Sequence, residues 1–340
     1  SVVSTATGVV LLAVFDLGLW ALLWAMLLNR GGMAAMALPS YFRRARWRAR
    51  SSLLREPLAY GYPQLLSGYA RRITEAGDRY VLAAFLPFQA VGVYNMAYML
   101  VSAASMLLTE PANLATTPTI LAMEKDPAAQ RRFIQRIATA YFALSAFLAL
   151  GLAIFAKEIL TLVAADPSFH SGWIVMPVIA LAYVQHGLGG LLNWGLVMRK
   201  RSLLITRNLL IAAAVNLLLN LALVPFMGIM GAAVATVAAY AIWNAQRAWY
   251  SWRLYQLQFD WGRLGLIAAL ALALGGLGLF VGGHFHGAVS ILINSLMMVV
   301  FAMIIWFGGI VQAEERRALR RLVQGGRHLP RDPENAFTPD

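Results

Sequence analysis

No cysteine occurs in the 340 residues, which excludes disulfides, thiolate metal sites and cysteine nucleophiles. Charge is scarce as well. Only 13% of residues are charged against 60% hydrophobic, too little to keep a water-borne globule in solution. The strict in/out alternation over about ten residues that marks an outer-membrane barrel strand is missing too. So are zinc-ligand spacing, a phosphate-loop glycine pattern and an RNA-binding aromatic motif. The net charge of +13 is therefore not read as a nucleic-acid footprint. His284 and His286 are two imidazoles in a glycine-rich stretch, short of the ligand set a metal needs. Nothing in the sequence asks for a cofactor.

What is present is a series of apolar runs, each of about 20 residues or more, the length that crosses a hydrocarbon core of about 30 Å as a helix. They fall near 6–28, 57–86, 91–120, 134–156, 171–196, 202–224, 229–252, 264–282 and 288–310. The fold class that follows is an all-α integral membrane protein with about nine transmembrane helices.

Basic residues sort by connector. Of the 28 Lys and Arg, one alternate set of connectors and the C-terminal tail hold all but four. That set comprises Arg30, Arg43, Arg44, Arg46, Arg48, Arg50 and Arg55, then Lys125, Arg131, Arg132 and Arg136, then Arg199, Lys200, Arg201 and Arg207. It ends with Arg247, Arg253 and Arg263, and with Arg316, Arg317, Arg320, Arg321, Arg327 and Arg331. The opposite connectors hold only Lys157, and Arg71, Arg72 and Arg79 lie inside the second run. Because basic loops stay in the cytoplasm, the C-terminus is expected there, in a multi-pass protein of the bacterial inner membrane. Nine crossings then put Ser1 outside, with neither Met nor a basic flank to deliver it, so the chain reads as N-terminally truncated.

The second run is the informative one, because it carries Arg71, Arg72, Glu75, Asp78 and Arg79. Facing lipid, five such groups would cost over about 12 kcal/mol, enough to prevent stable insertion. On a helix they share an arc of about 120°, and Gln64 and Gly68 share it with them. A wet stripe of this kind implies a cavity, and three bases against two acids favour an anionic cargo. Pairing of Glu75 with Arg71 or Arg79 at i, i+4, merely locking helices together, is the plainer alternative. The third run repeats the pattern in uncharged form with Asn95, Tyr98, Ser102, Ser105, Thr109, Asn113 and Thr116. Such groups can line a sugar-accommodating cavity or bond neighbouring helices together. Glu110, beside Pro111, is a lone acid inside that run and the candidate carrier of a coupling proton or sodium ion. Asp16 and His186 are similar, and read first as packing residues. Asn216 and Asn220, and the small residues Gly231, Ala235 and Ala239, read as helix packing.

Several stretches together resemble a known family. They are Gly61-Tyr62-Pro63-Gln64-Leu65-Leu66-Ser67, Gly77-Asp78-Arg79-Tyr80-Val81-Leu82, Val91-Gly92-Val93-Tyr94, and Asn216 to Asn220 followed by Pro225, Gly228, Gly231, Ala232 and Ala233. The pattern is similar to the polysaccharide-exporter branch of the multidrug, oligosaccharidyl-lipid and polysaccharide exporter superfamily. The resemblance implies two six-helix lobes around a central cavity, often with two further helices. On that plan residues 1–29 are the last helix of a first lobe, 30–56 a basic cytoplasmic connector, 57–252 the second six-helix lobe, 253–312 the two extra helices and 313–340 a cytoplasmic tail. The first two helices of a lobe border the cavity in this family, and here these are the runs already singled out by charge and polarity.

The function this implies is flipping of an undecaprenyl-pyrophosphate-linked oligosaccharide by alternating access, for surface polysaccharides such as lipopolysaccharide. Arg71, Arg72 and Arg79 are expected to neutralise phosphate, with Glu75, Asp78, Asn95 and Tyr98 completing the substrate site. Membrane lipid and polysaccharide assembly proteins are the expected partners, and nucleic acid is not. A multidrug exporter of the same architecture would prefer an acidic, aromatic cavity. A sugar-chain polymerase or ligase would be expected to build its site in a large outer loop, whereas the longest outer connector covers only about residues 157–170. Transport is thus favoured over catalysis.

The charge split generates a topology test. With no native cysteine to interfere, cysteines placed at Ser51 and Ser202 are expected to be shielded from an impermeant thiol reagent in intact cells, and one at Ser168 to react. Labelling of position 51 from outside would overturn the orientation.

Overall fold

The computed structural model describes residues 19–44, 68, 72, 76–284 and 287–308, and among these there is helix and no strand. The chain divides into two compact units, Ser1–Tyr60 and Gly61–Asp340. In the first, α1 (Leu19–Arg44) leaves Trp20, Leu23, Trp24 and Leu27 exposed, a surface suited to hydrocarbon. This helix continues through Arg30 to Arg44 with Pro39 inside it, so the first part of the expected connector is helical. The reason is local: the stretch from Met33 to Leu38 consists of strong helix formers.

In the second unit, α2 (residues 76–85) turns at Pro87 into α3 (Phe88–Ala122), which is followed by α4 (Pro127–Ile154), α5 (Ala156–Val163) and a 3-10 turn (Pro167–Ile174). Then come α6 (Met176–Leu192), α7 (Trp194–Met198), α8 (Ser202–Met227), α9 (Ile229–Tyr255), α10 (Trp261–His284) and α11 (Ala288–Phe307). Six of the described helices are long and apolar enough to cross a membrane, or seven when the bent pair Pro167–Ile174 and Met176–Met198 counts as one span. These fall on seven of the nine expected segments. The other two, 6–28 and 57–86, lie partly outside the described residues.

The segment expected as one helix over 171–196 is instead a 3-10 turn and a helix meeting at 59°. Pro177 sits in the first turn of α6, where its missing N–H costs nothing at a helix start but would break the ladder of a helix arriving from upstream. Asp166 opens the 3-10 turn by accepting the Ser168 N–H at 2.8 Å. That bond holds its carboxyl below the usual range.

Packing explains how the helices find their neighbours. At the α8–α9 corner Gly228 adopts φ +59°, and a Cβ on Gly231 would come within 2.6 Å of the Leu223 carbonyl oxygen. Ala232, Ala233, Ala235 and Ala239 continue that buried ridge, so the backbones approach closely, as helices in lipid do through small residues. Beside them Asn220 donates to the Asn216 carbonyl at 2.9 Å, and Asn216 donates to the Thr236 hydroxyl at 3.4 Å. Both asparagines are buried, in keeping with a packing role.

One end of the unit is tied by a single amide. Gln130, fully buried, donates to the Ile120 carbonyl at 2.6 Å and accepts from the Tyr255 hydroxyl. Arg199 donates to the Leu254 carbonyl at 2.9 Å beside it. The end of α3, the start of α4, the connector after α7 and the end of α9 therefore meet. These are connectors of the basic set, so charge reading and packing agree on which ends lie together. At other helix ends, Lys157 donates to the Gly282 carbonyl at 3.3 Å and stacks on Trp173. Tertiary contacts thus hold the apolar helices in one arrangement.

Candidate functional site

The α2–α3 corner brings together residues sixteen apart in sequence, on either side of Pro87. Asp78 is buried, at 1% exposure. Its carboxylate accepts the Tyr94 hydroxyl at 2.6 Å and the Arg79 backbone N–H at 2.8 Å. The Arg79 guanidinium lies 3.4 Å from the same carboxylate. It also donates through Nε to Asn95 Oδ1 at 2.9 Å and stacks 4.4 Å above the Tyr98 ring. Three side chains thus fix one cation: a counter-charge behind it, an amide at its side and an aromatic face beneath it. A carboxylate with these partners can remain deep in an apolar helix pair, where alone it would be prohibitively costly.

Arg79 and Tyr98 open onto a cavity of about 310 Å³, lined also by Arg72, Ala76, Tyr183, His186 and Tyr240. Its wall is aromatic. Tyr98 meets Tyr183 edge-on at 5.4 Å, Tyr183 meets His186 at 6.1 Å, and His186 meets Tyr240 at 5.4 Å. The series continues through Trp243 at 6.1 Å to Arg247, whose guanidinium lies 3.4 Å above the Trp243 ring. Tyr183 and His186 stand one turn apart on α6. Tyr240, Trp243 and Arg247 follow one face of α9. Such a wall offers flat apolar faces with polar tips, and the arginines supply rigid donors for oxyanions.

Of the residues expected to form the site, Arg72, Arg79 and Tyr98 line the cavity. Asn95 and Asp78 stand behind Arg79 and hold it. Arg71 and Glu75, with Asp16 and His286, lie outside the described residues. Glu110 is exposed on α3 beside Pro111 and is not among the cavity's lining residues. Most hydroxyls of the α3 polar face turn inward on their own helix. Ser102 donates to the Met99 carbonyl at 2.9 Å, Thr109 to that of Ser105 at 2.9 Å and Thr116 to that of Ala112 at 2.7 Å. Thr109 also meets the Tyr141 hydroxyl at 2.8 Å, a bond between helices. No group of three metal-ligating side chains occurs among the described residues.

Sequence reasoning missed the wall contributed by α6 and α9. It also counted Arg247 with a connector, whereas this residue is buried at 8% exposure inside α9, covered by Trp243 and donating to Asn244 Oδ1 at 3.3 Å. The available signal was the spacing of Tyr240, Trp243 and Arg247 at i, i+3 and i+7, which is one helix face.

Residues 1–167 match the family described as polysaccharide biosynthesis protein. No curated protein matches the sequence. Among solved structures the fold is similar to lipid II flippase MurJ in an inward closed conformation, with a TM-score of 0.70 at 14% identity, over 91% of this chain and 67% of that one. The family match and the shared fold bear out the resemblance to the polysaccharide-exporter branch.

The local geometry gives a stability test. Tyr94→Phe removes the hydroxyl that satisfies a buried carboxylate, and is expected to cost about 1–3 kcal/mol. Asn95→Ala, which removes a partner at the half-exposed Arg79, should cost less. Unfolding of the detergent-solubilised protein measures both. Equal stability of Tyr94→Phe and the parent would mean that Asp78 is satisfied some other way.

Proposed function

We propose that this protein moves an undecaprenyl-pyrophosphate-linked oligosaccharide across the cytoplasmic membrane by alternating access, as a transport step in surface polysaccharide assembly. The observation that carries this reading is the pairing of chemistries in one cavity: Arg72 and Arg79 beside an aromatic wall. A diphosphate needs charge-assisted donors, and guanidinium groups give them in a planar fork. Sugar rings need flat faces with hydroxyl partners nearby, which Tyr98, Tyr183 and Tyr240 can offer. Asp78 keeps Arg79 in place without an extra counter-ion, so the cation is already oriented when cargo arrives.

Arg72 and Arg79 are about 10 Å apart along an ideal helix axis, so one diphosphate would engage them in succession or through reaching side chains. Two negative charges leaving a cell with a negative interior gain about 4.6 kcal/mol per 100 mV. Outward movement is therefore assisted once the cavity has offset desolvation. Return of the emptied lobe is the harder step, and we assign its coupling to a cation, proton or sodium, through Glu110. The C-terminus is cytoplasmic in this scheme, as the basic connectors suggest. The remaining residues of the charged stripe, Arg71 and Glu75, are assigned to the same substrate site. A multidrug exporter reading suits the aromatic wall but not the arginines.

The test is binding by the full-length protein. Arg72→Ala should weaken binding of an undecaprenyl-pyrophosphate oligosaccharide roughly 10- to 100-fold, the worth of one charge-assisted contact. Arg72→Lys should recover part of it, because the point charge survives without the fork. Arg79→Ala should weaken binding as well. If the double alanine variant binds its cargo normally, the arginines are structural and the headgroup assignment is wrong.

A further inference from the structure

A second cleft, about 810 Å³ in volume, opens between the start of α4 and the end of α9. Arg131, Arg132 and Arg253 line it, with Gln135, Trp249 and Trp252. It shares no lining residue with the cavity described above. Arg131 is partly engaged, donating to the Tyr255 carbonyl at 3.5 Å and facing that residue's ring at 5.7 Å. Arg132 and Arg253 are exposed, and neither has an ion-pair partner among the described residues. Three like charges converging on one cleft repel each other, and an anion seated among them relieves that repulsion.

The surface below the cleft indicates what kind of anion. On α4, Ala140 and Leu144 are exposed farther along the helix, turned about 80° and 120° from Arg132. On α9, the face of Trp252 and Trp249 continues with Ala245 and Ile242, also exposed. Moving away from the helix end, the α9 face changes from amphipathic to wholly apolar. The indoles of Trp249 and Trp252, 5.6 Å apart, stand at the change, where tryptophans of membrane proteins mark the interface. A soluble phosphate would match the arginines and leave the apolar continuation without a purpose. A lipid matches both, with its phosphodiester among the guanidinium groups and its chains along the apolar stripe.

The geometry points to a binding site for an anionic glycerophospholipid in this cleft, with Arg132 and Arg253 reading the headgroup and Trp249 and Trp252 setting its depth. The site lies at the membrane face where the basic connectors gather, and it does not depend on the identity of any transported cargo. Basic pockets between spanning helices on that face are suited to such headgroups.

Native mass spectrometry of the full chain in detergent tests it, by titration with phosphatidylglycerol or phosphatidylcholine of matched acyl chains. The parent should bind phosphatidylglycerol at least about tenfold more tightly, and the double variant Arg132→Gln, Arg253→Gln should lose roughly thirtyfold in affinity for it. Phosphatidylcholine binding should be unchanged. Both side chains are exposed, so the fold should survive. The pair Arg132→Lys, Arg253→Lys should keep most of the preference. Equal affinity for the two lipids, or a double glutamine variant that still prefers phosphatidylglycerol, would overturn the site. Complete displacement of the lipid by millimolar glycerol phosphate would overturn the lipid assignment in favour of a soluble phosphate.

Discussion

Hydrocarbon offers no hydrogen bonds, so every polar group carried into it must find its partner within the protein. This constraint organises the second unit at each level. Asp78 is held by Tyr94 and Arg79, Gln130 ties three chain segments at one end, and Asn294 donates to the Ile154 carbonyl at 3.0 Å to bind α11 to α4. Each polar side chain that pins two helices specifies which helices those are. Leucines facing lipid cannot do so, because a neighbouring helix and an acyl chain are equally apolar to them. The buried hydrogen bonds and the small-residue ridge of α9 therefore set the arrangement, and the arrangement places the cavity.

The same constraint governs how legible the sequence was. Long apolar runs declare themselves: six expected segments fall on described helices long enough to span, and a seventh on the bent pair. Local chain chemistry was harder to read. Pro177 turns one expected span into a bent pair, and α1 runs on to Arg44 because its residues favour helix even where their polarity suggested a connector. Hydropathy averages over about nineteen residues, and such a window is blind to a single proline or to one partnered arginine.

At the site, Arg72, Arg79, Asn95 and Tyr98 were legible because charged and polar side chains stand out against an apolar background. Tyr183 and Tyr240 were not, since aromatic residues on apolar helices usually mean packing, and His186 was read first in that way too. Only the tertiary fold reveals that α6 and α9 present them to the cavity that Arg79 enters. Arg247 was misplaced for a related reason. Its cost inside the helix is offset by an indole and an asparagine four and three residues away on the same helix, and a count of basic residues by connector does not weigh such pairings.

Charge in the membrane thus has two uses here: Asp78 and Arg79 prepare a cavity, and the basic connectors gather at one face. The central claim is that the prepared cavity carries a diphosphate-linked sugar lipid from one leaflet to the other. The direct measurement uses full-length protein in sealed proteoliposomes holding a fluorescent undecaprenyl-pyrophosphate oligosaccharide, with a membrane-impermeant quencher added outside. The inner-leaflet pool should become quenchable when the protein is present, while the same oligosaccharide on a lipid without the diphosphate should stay protected. Movement of both lipids at the same rate, or of neither, would contradict it.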